Sequence, residues 1–234
     1  VRFLPFLYGL TLFVSALLLF SIQPMFAKMV LPKLGGAPAV WSVAMVFFQT
    51  VLLAGYAYAH LLNRALRARR AAMFHLVLIG ITAMMLPIAI VPGWGAPPSD
   101  GTALWLFGLF AASIGVPFFT LSASAPLLQT WFAASGHRQA SNPYVLYAAS
   151  NLGSFAALFA YPIVIEPFLT LKTQTAAWSV GFALFAVLSG IVGVFASRAA
   201  PVAAQRGPQG ETGSRTAERM RWMALAAVPS GLVI

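Results

Sequence analysis

The sequence predicts an all-α, polytopic membrane protein: a transmembrane helix bundle with six full spans plus the start of a seventh. Three observations predict it. Apolar residues make up 60% of the chain and charged residues 8%, where a soluble domain carries about 25% charged. Six apolar runs reach the ~20 residues that a helix needs to cross a bilayer. The positive charges sit in short breaks between those runs, which reads as a topology signal. The net charge of +10 is therefore no argument for a nucleic-acid partner, and none is expected.

The first run, 3–27, is longer than the apolar stretch of a signal peptide, and no small-residue cleavage site leads out of it. Gln23 and Pro24 interrupt it near its far end. The break LPKLGGAP (31–38) follows, with Lys28 and Lys33 flanking residues 29–31. The second run, 38–63, carries Gly55, Tyr56, Tyr58 and His60 ahead of the basic stretch NRALRARR (63–70). That is the pattern of an aromatic belt and a cytoplasmic loop. The third run, 71–92, stops at PGWGAPPSDG (92–101), where Gly and Pro punctuate the chain.

The fourth run, 102–132, is longer than one straight span requires. Pro117 and Pro126 predict kinks, with Ser122 and Ser124 as partners for the freed carbonyls. The fifth, 143–166, spaces Ala149, Gly153 and Ala157 four apart, which lets two helix backbones approach closely. Its Tyr147, Asn151 and Ser154 form one stripe at helical spacing, with Tyr161 near it. Lipid cannot satisfy an amide, so this stripe is expected to face protein or a water-filled cavity. The sixth run is 174–197. A polar cytoplasmic linker is expected over 198–219, and the apolar run 220–234 as a truncated seventh span. The chain opens at Val1 and closes inside that run, so it is expected to be the N-terminal portion of a longer protein.

Alternating the breaks places all eleven arginines on one side and Lys28, Lys33 and Lys172 on the other. The positive-inside bias makes the arginine side cytoplasmic, with the N-terminus inside. Pro38 and Val40 match Pro143 and Val145 at an offset of 105, and so do Tyr56 with Tyr161 and Ala71-Ala72 with Ala176-Ala177. Three spans related to the next three would form an inverted repeat of the kind found in secondary transporters.

Glu166 is the one acidic residue in any long apolar run. A carboxylate there pairs, faces water or takes up a proton. An ion pair with Lys28 or Lys33 is expected, tying the fifth span to the first loop. Gln23, Gln49, Asn151 and Ser154 are the candidate substrate-binding groups. No carboxylate pair, glycine-rich phosphate loop or cysteine is present, and His60, His75 and His137 are read at the cytoplasmic boundary or in loops. No catalytic residue, metal site or cofactor is therefore expected within the chain.

Two stretches carry a family resemblance. SIQPMFAKMVLPKLGGAPAVW (21–41) runs on into MVFFQTVLLAGYAYAHLL (45–62). APLLQTWF (125–132) is followed by NPYVLYAASNLGSFAALFAYPIVIEP (142–167). Over roughly 5–200 the chain resembles the N-terminal membrane region of bacterial fused major-facilitator/spermidine synthase proteins. The resemblance implies a major-facilitator-like half in the bacterial inner membrane. It also implies a cytosolic aminopropyltransferase-like domain further along the chain as a partner, none of whose residues lies in these 234. Three functions follow as expectations. The chain could anchor that domain and move polyamines or related small molecules; it could be a stand-alone secondary transporter; or it could be a non-transporting membrane scaffold.

Overall fold

The computed structural model describes residues 3–34, 38–140 and 144–198. The linker expected beyond residue 198 and the run 220–234 lie outside these. So does the side chain of Lys33, whose backbone is helical. The described residues are mostly helical and contain no strand. The helices are α1 (Leu4–Leu34), α2 (Pro38–Ala65), α3 (Ala68–Met84), α4 (Thr102–Ala133), α5 (Tyr144–Ala160), the three-residue α6 (Glu166–Phe168) and α7 (Leu171–Arg198). A π-helical stretch, Tyr161–Ile165, joins α5 to α6 without a break. Among the described residues five helical segments are long and apolar enough to cross a membrane: Leu4–Pro32, Val40–Ala65, Thr102–Ala133, Tyr144–Phe168 and Leu171–Ala196. The chain thus has the make-up of a multi-pass membrane protein.

Helix α1 runs straight through the predicted interruption. Pro24 and Pro32 lie inside it. A proline removes one backbone donor, and neighbouring helices can hold the helix together regardless. Here Ile22, Met25, Phe26 and Val30, on either side of Pro24, are all fully buried.

The third run behaves differently from its neighbours. Its helix ends at Met84, eight residues short of the expected 92; Pro87 follows three residues on and disfavours helix in the residue before it. The chain then continues without helix to Gly101. It still follows α4. His75 meets Ser124, Thr82 meets Thr120, the Val91 N–H donates to Ser113 Oγ at 3.1 Å, and Trp94 lies against Gly108. Segment 68–94 therefore runs antiparallel along α4, first as helix to Met84 and then as non-helical chain. Backbone outside a helix needs partners for its donors and acceptors, and Ser113 supplies one.

Within α4 the expected role of Ser122 and Ser124 is not met. Pro117 and Pro126 free the carbonyls of Ser113 and Ser122. The hydroxyls instead bond back to others: Ser122 to Phe119 O at 2.8 Å and Ser124 to Thr120 O at 2.6 Å. A hydroxyl reaches only three or four residues back along its own helix, so neither serine can reach the carbonyl that a proline frees.

Helix α1 packs chiefly on α5, α2 on α4 and α3 on α7. The α1–α5 contact has a clear cause. Leu146, Gly153 and Ala157 are the buried residues of α5, and a Cβ on Gly153 would land on the backbone carbonyl oxygen of Phe13. Gly55 does the same job between α2 and α4, where a Cβ would land on Ser122 Oγ. Phe47, Phe48, Phe110 and Phe118 form the centre of the main core, with Phe26 edge-on to Phe110 at 4.9 Å. Such packing holds helices together where lipid offers no hydrophobic contrast.

Candidate functional site

Arg64 lies in the last turn of α2, Arg67 in the α2–α3 connection and Arg138 in the α4–α5 connection. Lys28, Glu166 and Lys172 sit where α1 nears its end and α5 gives way to α7. At that end a groove of about 560 Å³ opens between α1, α2 and α5. Helix α1 contributes Phe20, Gln23, Pro24 and Ala27. Helix α2 adds Trp41, Ala44, Met45 and Phe48, at the spacing of one helical face. Leu158, Tyr161 and Pro162 close the α5 side.

Two charged groups stand among these apolar walls. Lys28 Nζ lies 3.2 Å from Glu166 Oε1, and both side chains are partly exposed, at 35% and 48%. The structure therefore brings together Gln23, Lys28 and Glu166. Glu166 reaches this position through the π-helical stretch: its N–H bonds to Tyr161 O, five residues back. Tyr161 is itself anchored. Its hydroxyl donates to Gln174 Oε1 on α7 at 3.0 Å, and Gln174 Nε2 donates to Leu169 O at 2.9 Å.

Gln49, Asn151 and Ser154 do not line the groove. Gln49 and Asn151 are exposed, and the Ser154 hydroxyl bonds back to Asn151 O at 2.9 Å. They nevertheless extend its walls. On α2, Gln49 and Tyr56 follow Met45 at intervals of four and seven, all three exposed. On α5, Tyr147, Asn151 and Ser154 lead up to Leu158 in the same way. Further round both helices the exposed surface is apolar, with Val46, Leu53 and Leu61 on α2 and Leu152, Phe155 and Phe159 on α5. Leu53 follows Gln49 by one turn and Phe155 follows Asn151 by one turn, so on each helix the polar residues occupy only the groove edge of the outward surface.

A second polar set lies between α3 and α4. His75 lies not in a loop but on α3, 2% exposed, with Nε2 3.0 Å from Ser124 Oγ. The Ser124 hydroxyl already donates to Thr120 O, so it accepts from the ring nitrogen. Thr82 and Thr120 meet at 2.7 Å one step along. The spacing of His75 and Thr82 by seven, facing Thr120 and Ser124 spaced by four, was the available signal. Among the described residues no three His, Asp or Glu side chains come together as a metal site. The chain matches no family model, no curated protein and no solved structure.

Proposed function

We propose that the chain is the membrane domain of a carrier-type protein, in which the face formed by α1, α2 and α5 lines a water-filled path. The observation that carries this reading is the pair of polar stripes on α2 and α5 beside the groove. An exposed amide on a membrane-crossing helix is costly against hydrocarbon. Gln49 and Asn151 are both exposed, on the two helices that wall the groove.

In this reading Gln23, Lys28 and Glu166 form the binding site, and the third crossing is made by α3 with the non-helical segment behind it. The helix pairing also suits an inverted repeat. Exchanging α1 with α4, α2 with α5 and α3 with α7 turns the α1–α5 pair into the α2–α4 pair and leaves α3–α7 unchanged. The arginine-bearing connections would face the cytoplasm of a bacterial cell, with the N-terminus inside. The family resemblance adds a cytosolic aminopropyltransferase-like domain anchored on that side, and polyamines or related small molecules as cargo.

The absence of native cysteine makes the test direct. Single cysteines are introduced by Gln49→Cys, Asn151→Cys, Val46→Cys and Leu152→Cys in the full chain, in membranes. A water-soluble maleimide should label the first two and spare the last two, because maleimides need the hydrated thiolate. Failure to label Gln49→Cys and Asn151→Cys would return the protein to a non-transporting scaffold. Spermidine uptake into proteoliposomes then tests the cargo.

A further inference from the structure

We propose that the groove takes a zwitterion: one molecule carrying an ammonium group and an acidic group on an apolar body. This rests on the reading above that the groove meets water. The argument is charge balance. Among the described residues the groove holds one cation and one anion, Lys28 and Glu166, already paired at 3.2 Å. An amine that takes Glu166 leaves the Lys28 ammonium without a counter-charge beside a second cation. An acid that takes Lys28 strands Glu166 in the same way. Either ligand leaves one ion unpaired and sets a like charge beside it, which weakens its own binding. A zwitterion alone replaces both halves of the pair, with its ammonium on Glu166 and its acid on Lys28.

The remaining walls fit the rest of such a molecule. Phe20, Trp41 and Phe48 offer aromatic surface to an apolar body, and Gln23 adds an amide. The volume of about 560 Å³ lies within the range of small-molecule sites, ~300–1,000 Å³. The pair is partly exposed rather than sealed, so its ions can part without opening the core. Two sources offer this chemistry: a free amino-acid-like solute, and the headgroup of a zwitterionic lipid.

The test uses Met45→Cys, which puts a thiol on the groove wall, in the full chain in nanodiscs. Three probes share one body: L-phenylalanine, 2-phenylethylamine and 3-phenylpropionate. In phosphatidylglycerol discs, L-phenylalanine at about ten times its Kd should slow maleimide labelling about tenfold, by mass action. The amine and the acid at the same concentration should slow it less. Lys28→Met should admit the amine, and Glu166→Gln should admit the acid; these are gains of binding, which misfolding does not produce. Slowing in phosphatidylethanolamine discs without any solute assigns the source to lipid. Equal slowing by amine and zwitterion in the unaltered pair overturns the proposal. So does the absence of any slowing by L-phenylalanine or phosphatidylethanolamine while Asn151→Cys still labels. If Gln49→Cys and Asn151→Cys do not label either, the carrier reading fails with it.

Discussion

Replacing Gly153 with alanine should loosen α5 from α1, its main partner. The added Cβ lands on the Phe13 carbonyl oxygen, with the carbonyl carbon 3.0 Å away. Overpacking a close contact costs ~1–3 kcal/mol. The upper part of that range applies, because the atoms met are backbone and cannot rotate aside. Alanine also recovers about 1 kcal/mol of helix propensity relative to glycine. The net loss is about 1–2 kcal/mol, a factor of roughly 5–30 in the ratio of folded to unfolded protein. Two other glycines calibrate the result. Gly80 has nothing within 4 Å, so Gly80→Ala should gain up to about 1 kcal/mol. A Cβ on Gly181 meets the movable Leu18 Cδ2 at 3.0 Å, so Gly181→Ala should fall between the two. Equilibrium unfolding of the full chain in mixed micelles, titrated with SDS, measures all three. If Gly153→Ala is as stable as the parent while Gly80→Ala gains as expected, the close α1–α5 approach is wrong.

The Lys28 and Glu166 pair, at 35% and 48% exposure, should show a coupling of ~0.2–1 kcal/mol in a double-mutant cycle, weakening with salt; independent effects would remove the pair as a link between α1 and α5. Phe110→Ala removes a ring that contacts Phe26, Phe47 and Phe48, and the same SDS titration should record a loss of ~3–5 kcal/mol. Gln174→Leu leaves the Tyr161 hydroxyl without its partner, at a cost of ~1–3 kcal/mol. Adding Tyr161→Phe should recover part of that loss, and a double variant no better than the single would place the hydroxyl elsewhere.

The five long helices were legible because their apolar runs are long and their breaks carry Gly and Pro. Gly153 was legible too, since small residues spaced by four have few other uses on such a helix. The juxtaposition of Glu166 with Lys28 could be anticipated from cost alone: a carboxylate in an apolar run needs an opposite charge on its own side. What could not be read depends on neighbours. The sequence shows Pro24 as a break, but buried residues on both sides keep α1 helical. The 71–92 run looks uniform, and only Pro87 marks where helix yields to non-helical chain. His75 follows Arg70 closely enough to look interfacial, yet α3 begins at Ala68, which carries residue 75 two turns into the bundle. The outward direction of Asn151 follows from which face of α5 meets α1, and that is set by Gly153.

The π-helical stretch between Tyr161 and Ile165 amounts to one additional residue wound into a helix. Each residue turns an α-helix by about 100° and advances it 1.5 Å. The stretch joins two halves of one rod. Upstream, the rod is clocked by Gly153 against Phe13; downstream, it is clocked by Glu166 against Lys28. Removing a single residue from 162–165 would let the Glu166 N–H meet the same Tyr161 carbonyl as an ordinary helical bond four residues back, leaving the carboxylate on the same face. The turn thus takes up one residue while both registers are kept, and the rod can gain or lose that residue without parting the acid from Lys28.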